Sequence, residues 1–204
     1  MSESLIIFSR YPEPGKTKTR LIPALGAEGA AELQQQMTEH TLNTARKLRA
    51  LRNLTIEIHF TGGSSEQMVR WLGRDLQYVP QVSGDLGQKL HSALAKAFNL
   101  NRRRVVVIGI DCPDLDRTIL NNAFNALSDR DLVLGSAQDG GYYLIGLSHF
   151  FPQLFQNIAW GTDRVLHQTS EIARELKLSL DYLPTLADVD RPEDLTIWHK
   201  YSQQ

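Results

Sequence analysis

The sequence predicts an α/β sandwich, and three observations carry that prediction. Apolar strand-like runs alternate with helical patterns along the chain instead of collecting in separate blocks. Arg104 to Ile110 is a nearly unbroken Val/Ile run, the pattern of a central strand covered on both faces. With 204 residues, 42% of them hydrophobic and 22% charged, the chain is long and apolar enough to bury a substantial core. No internal repeat, low-complexity tract or dividing linker interrupts it, so residues 1–204 are expected to form a single domain.

Each element follows from a local pattern. Leu5-Ile6-Ile7-Phe8 reads as a first, buried strand that empties into a loop punctuated by Pro12, Pro14 and Gly15. Ala27 to Leu51, rich in Ala, Glu, Gln and Leu, predicts a long helix. Leu54 to Phe60 alternates as a second strand closed by Gly62-Gly63, with His59 on its exposed side. A short helix from Ser64 to Leu72 and a weak strand near Leu76 to Val79 come next. Leu86 to Leu100 has helical spacing of Leu, Ala and Phe, and the central strand follows it. In the second half, Thr118 to Leu127 predicts a helix, Leu132 to Leu134 a strand, and Asp139-Gly140-Gly141 a turn into a strand from Tyr142 to Leu147. A helix over Thr162 to Leu178, a strand over Leu180 to Leu183 and a closing helix over Pro192 to Tyr201 complete the chain.

Bulk properties exclude several classes. A formal net charge of −1 gives no whole-molecule basis for binding nucleic acid or an anionic membrane. Basic residues cluster only locally, at Lys16 to Arg20 and at Arg102-Arg103-Arg104, the latter read as a solvated loop edge. Cys112 is the single cysteine, so neither an internal disulfide nor a cysteine-based zinc site can form. No apolar run is long enough to span a bilayer and the N-terminus lacks a secretory pattern, so a cytoplasmic location is expected. The sequence leaves the oligomeric state open.

Four segments could carry chemistry. The first is the loop after the first strand, where Lys16, Lys18 and Arg20 alternate with threonines at the carboxyl edge of a sheet. Open α/β sheets place ligands at that edge, and backbone amides with cations suit a phosphate or pyrophosphate. Gly15-Lys16-Thr17 is no P-loop, because Arg10 stands where that motif needs a glycine and Pro14 removes an amide. The second is Gly109-Ile110-Asp111-Cys112-Pro113-Asp114, which sets a carboxylate where the central strand ends. Asp111 is either a divalent-cation ligand or a turn-capping residue, whereas Asp114 and Asp116 read as helix caps and Cys112 as packing. The third is Asp139-Gly140-Gly141-Tyr142-Tyr143, an ordinary hairpin turn whose aspartate can still face a ligand, with the tyrosines on opposite faces. In the fourth, Asp188-Val189-Asp190-Arg191-Pro192-Glu193, Asp190 and Glu193 match a capping box. Asp188 and Asp190 alternate, so one can reach a metal while the other caps.

In order along nearly the whole chain, Arg10 to Leu21, Gly84-Asp85-Leu86-Gly87, Gly109 to Pro113, Asp139 to Gly146, Trp160-Gly161-Thr162-Asp163 and Asp188 to Leu195 resemble the nucleotide-diphospho-sugar transferase superfamily. The nearest resemblance is to a bacterial family, DUF2064, of glycosyltransferases with unknown or arsenosugar-related roles. That resemblance implies a GT-A-like fold, a three-layer α/β/α sandwich with a mostly parallel mixed sheet. It implies that Arg10, Gly15, Lys16, Lys18 and Arg20 wrap the nucleotide's phosphates, and that Gly84, Asp85 and Gly87 line the base or ribose. Asp111 takes the metal-ligand place, with Asp190 as second ligand for Mg²⁺ or Mn²⁺. Gly140, Gly141, Tyr142 and Trp160 border the sugar or acceptor side, along with Asp139 and Asp163. The glycine loop of sugar nucleotidyltransferases is replaced here, and the Asp-x-Asp of many glycosyltransferases appears only as Asp111-Cys112-Pro113-Asp114.

The expected activity is metal-dependent glycosyl transfer from a nucleoside-diphosphate sugar to a small-molecule acceptor. In it the ion and the loop cations stabilise the diphosphate leaving group, and Asp139 or Asp163 orients or deprotonates the acceptor hydroxyl. Nucleotidyl transfer from an NTP to a phosphorylated small molecule uses the same groups, with pyrophosphate leaving. A non-catalytic nucleotide-binding module would keep the cations without needing the carboxylates.

Overall fold

The structure, a computed structural model, describes residues 2–201. Seven strands form one sheet in the order β3-β2-β1-β4-β6-β5-β7. They are β1 (Glu3–Arg10), β2 (Leu54–Thr61), β3 (Gln77–Pro80), β4 (Arg104–Ile108), β5 (Leu132–Ala137), β6 (Tyr142–Leu147) and β7 (Leu180–Leu186). Every neighbouring pair is parallel except the two that β6 makes, with β4 and with β5. The sheet is therefore mixed and mostly parallel, as expected.

Helices cover both faces. Along β1, Leu5 and Ile7 belong to one core and Ile6 to the other, the period-two alternation of a strand buried on both sides. One core takes residues from α1 (Ile22–Arg49), α2 (Ser65–Leu72), α4 (Arg117–Ala126) and α6 (Leu195–Trp198). The other takes them from α3 (Leu86–Asn99) and α5 (Val165–Glu175). Gly26 interrupts α1 at φ 73°, so the regular helix begins at Ala27, where the sequence predicts it. Among the described residues no helix is long and apolar enough to cross a membrane.

Several expectations need correction. The closing helix is only a 3₁₀ turn, Pro192–Asp194, followed by the short α6, and α5 begins at Val165 rather than Thr162. Asp194, not Glu193, caps backwards, accepting from the amides of Asp190 and Arg191. His59 is buried, stacked on Phe8 and paired with Glu57, whose other oxygen accepts from Ser4. Interior strand β2 is covered on both sides, so its alternating polar residues had to find partners with one another. Arg104 is likewise no solvated loop residue, since it donates to the buried Glu3 at 3.1 Å.

Candidate active site

Topology gathers the four segments at one edge. Parallel strands β1, β4, β5 and β7 all point their carboxyl ends there, while β6, running the other way, contributes its amino end. The chain leaves β1 toward β2 and β3 on one side and later returns to β4 on the other, so the cleft opens at the reversal of strand order. It encloses about 870 Å³, with Phe8, Leu86 and Leu90 on its apolar wall and Arg20, Asp111, Asp139, Asp163, Asp188 and Asp190 among its polar lining.

The first loop is held by its own bonds. The Thr17 hydroxyl donates to the carbonyl of Glu13, and the Arg10 guanidinium donates to the carbonyl of Lys16 at 2.7 Å. Lys16 turns outward to Glu13, and of the predicted phosphate-loop residues Arg10, Gly15, Lys16, Lys18 and Arg20 only Arg20 lines the cleft. Lys18 instead adopts a left-handed conformation at φ 43° and turns inward. Its ammonium, on a side chain only 6% exposed, donates to Asp111 at 2.7 Å and to the carbonyl of Val189 at 2.8 Å. Arg20 pairs with Asp190. Two cations of one loop thus meet two carboxylates from distant parts of the chain.

The carboxylates are brought together by backbone pairing. The amide of Val189 donates to the carbonyl of Asp111 at 2.8 Å, fixing the segment 188–190 alongside the end of β4. Val189 is fully buried, so its neighbours Asp188 and Asp190 project to the other side, into the cleft. Burial raises the Asp188 carboxyl, and the negative charges of Asp139, Asp111 and Asp194 push it the same way. Asp188 therefore shares the negative field of Asp139 and Asp111, while Asp190 is engaged by Arg20. Cys112 is buried, and desolvation together with Asp111, Asp188 and Asp139 pushes its thiol up, which keeps it protonated and inert.

Opposite lies the hairpin after β5. The Gly141 amide donates to Asp139 at 2.8 Å and fixes that carboxylate. Gly140 sits at φ 87°, and a side-chain carbon there would fall 2.3 Å from the carbonyl oxygen of Asp163. The hairpin and the segment 160–163 are thus locked together. Tyr142 meets Trp160 edge to face at 6.4 Å between ring centroids, and its buried hydroxyl has no well-formed hydrogen bond among the described residues. Tyr143 faces the other core, donating to the carbonyl of Pro184. Trp160 lies on α3 at Gly87, where a side-chain carbon would approach its indole nitrogen to 2.2 Å. Asp85 caps α3 by accepting from Gln88 at 2.8 Å, and Gly84 lies just before it at φ 120°.

Sequence reasoning singled out the acidic and basic residues but missed the apolar wall and the cleft-lining Gln138, Arg191 and Asp194. An apolar residue directly after the Asp85 position that opens α3, Leu86, is a sequence signal that could have pointed to that wall.

Three comparisons bear on the chain. Residues 44–162 match the family described as "Uncharacterized protein conserved in bacteria (DUF2064)". Among curated proteins nothing matches. A crystal structure from Desulfovibrio desulfuricans G20, provisionally named a nucleotide-diphospho-sugar transferase, is 34% identical, covers 100% of this chain and 89% of its own, and superposes with a TM-score of 0.92. Likeness of fold alone extends to 4-diphosphocytidyl-2C-methyl-D-erythritol synthase from Anaerococcus prevotii, 12% identical over 99% of this chain and 98% of that one, with a TM-score of 0.64. It extends also to glucosyl-3-phosphoglycerate synthase from Mycobacterium tuberculosis, solved with Mn²⁺, UDP and phosphoglyceric acid, 13% identical over 96% of this chain and 73% of that one, with a TM-score of 0.59.

Proposed function

This chain belongs to the bacterial family DUF2064, and from that premise we propose that it is a metal-dependent transferase acting on a nucleoside-diphosphate sugar, passing the glycosyl group to a small-molecule acceptor. One observation carries the reading. Arg20, Asp111, Asp139, Asp188 and Asp190 line one cleft at the carboxyl edge of the sheet, with Arg20 paired to Asp190 and the nearly buried Lys18 of the same loop holding Asp111. The provisional name of the Desulfovibrio relative, similar over its whole fold, supports the same class.

The donor set fits Mg²⁺ or Mn²⁺. Among the described residues no three acidic, histidine or cysteine side chains converge as a ready-made cage. An ion of this kind needs only one or two carboxylates when substrate phosphates complete its shell. Asp111, held by Lys18 in this structure, stands at the end of β4, and Asp188, which makes no ion pair among the described residues, is the second residue to hold the ion, ahead of the expected Asp190, which Arg20 engages. The chemistry a divalent ion supplies when bound there is neutralisation of charge on the diphosphate leaving group.

The protein's own groups do the rest. Arg20 and Lys18 stabilise the negative charge that accumulates on the departing diphosphate, a contribution strongest where water is excluded. Leu86, Leu90 and Phe8 offer an apolar wall to the nucleoside. Asp139, oriented by the Gly141 amide, accepts the proton of the attacking hydroxyl, and Asp163 borders the same side of the cleft. The test is product analysis with a panel of sugar nucleotides and nucleoside triphosphates plus Mn²⁺. Release of a nucleoside diphosphate from a sugar nucleotide, reduced about 100-fold or more in Asp139→Asn, is the expected result. Pyrophosphate release from a triphosphate would assign nucleotidyl transfer instead, and metal-dependent binding without turnover of any donor would leave only a nucleotide-binding module.

A further inference from the structure

Lys18 occupies an unusual position for a phosphate-binding lysine. Its backbone is left-handed, a conformation that disfavours lysine, and the consequence is a side chain turned into the protein. There its ammonium bridges Asp111 and the carbonyl of Val189, on two segments already joined by the hydrogen bond from the Val189 amide to the Asp111 carbonyl. The partners of this ammonium are hard oxygens, the donor type that a divalent ion seeks. Asp139 and Asp188 line the same cleft as Asp111, so three carboxylates border the space that this ammonium helps to balance.

We propose that Lys18 is a resident counter-cation of the ligand-free cleft, holding Asp111 until a divalent ion replaces it. The inference rests on the metal-dependent reading of the site given above. Lys18 and the ion compete for one carboxylate, so metal binds weakly while Lys18 stays in place. An incoming diphosphate offers the ammonium new oxygens, draws it off Asp111 and opens the carboxylate to the ion. Metal and diphosphate thereby favour each other's binding, reciprocally and through a single side chain. No charge is left uncompensated at any stage: the carboxylate exchanges one cation for another as the ammonium moves to the diphosphate.

The experiment measures free Mn²⁺ by electron paramagnetic resonance during titration of the protein without nucleotide. Lys18→Met should bind Mn²⁺ about tenfold more tightly than the unmodified protein, a typical size for coupling between two ligands of one site. The gain should vanish in Lys18→Met combined with Asp111→Asn. Lys18→Gln, which can still donate to the carbonyl of Val189, should behave like Lys18→Met and guards against a folding defect in the first variant. Unchanged or weaker Mn²⁺ binding in either folded variant would overturn the proposal. Turnover of sugar nucleotides is read separately, so the competition can fail while the transferase assignment stands, and the reverse.

Discussion

Tyr142 ends in a buried hydroxyl with no well-formed hydrogen bond among the described residues; Thr169, whose own hydroxyl donates to the carbonyl of Val165, lies near enough to offer it only a poor acceptor. Burial pushes that phenol far up, so it stays neutral. A buried donor without a partner costs roughly 1–3 kcal/mol. Tyr142→Phe should therefore raise the free energy of unfolding by about 1 kcal/mol in urea titration, and a loss of that size would mean the hydroxyl is satisfied in solution. The acidic and basic residues of the cleft could be picked out from the sequence by their places in strand-exit segments. Their pairing could not. Lys18 meets Asp111, and Arg20 meets Asp190, only because β1 and β4 are neighbours and the segment before α6 returns alongside them. The choice between Asp188 and Asp190 depends on the same long-range geometry, since both alternate identically in the sequence.

At the scale of elements, strands and amphipathic helices were legible because each writes its period into the chain, as in the Val/Ile run of β4 and the Leu and Ala spacing of α3, whereas the capping role of Asp85 at the start of α3 was not read. Short 3₁₀ turns were not, since three or four residues carry no period, and Pro152–Phe155 passed unread. His59 was misplaced for a different reason. Alternation tells which residues share a face but not whether the second face is covered, and β2 turned out to be interior. The hairpin between β5 and β6 offers an element-level test. Gly140 needs both its positive φ and the absence of a side chain against Asp163. Gly140→Ala should lower stability by about 1–3 kcal/mol and displace Asp139 from the cleft. Thermal melting and sugar-nucleotide turnover should fall together, and an unaltered turnover would show that this hairpin does not serve the reaction.

Across the whole molecule, the edge of the sheet opposite the cleft is tied by one carboxylate. Glu3 of β1 accepts two bonds from Arg52 at 2.8 Å and one from Arg104 of β4 at 3.1 Å, while Arg52 also donates to Asn121 and Asn125 of α4. Burial pushes the Glu3 carboxyl up, but the bonds and charges of Arg52 and Arg104 outweigh it and hold the group below its ordinary value of 4.5. A carboxyl depressed in the folded state contributes stability above its unfolded value, and loses it as pH falls through the folded one. Glu3→Gln should therefore cost about 3 kcal/mol at pH 7, the lower end for breaking a buried pair. It should cost progressively less below pH 4.5. A penalty independent of pH would mean the carboxylate charge plays no part.

The two outermost strands, β3 and β7, each contain a proline, Pro80 and Pro184. A proline has no amide hydrogen to offer a newcomer, and Tyr143 already claims the carbonyl of Pro184 from within. A second molecule laid against either rim would find its ladder interrupted at that point. The sheet is guarded on both flanks against growing by one strand at a time into a fibre, even though its middle is among the most apolar parts of the chain.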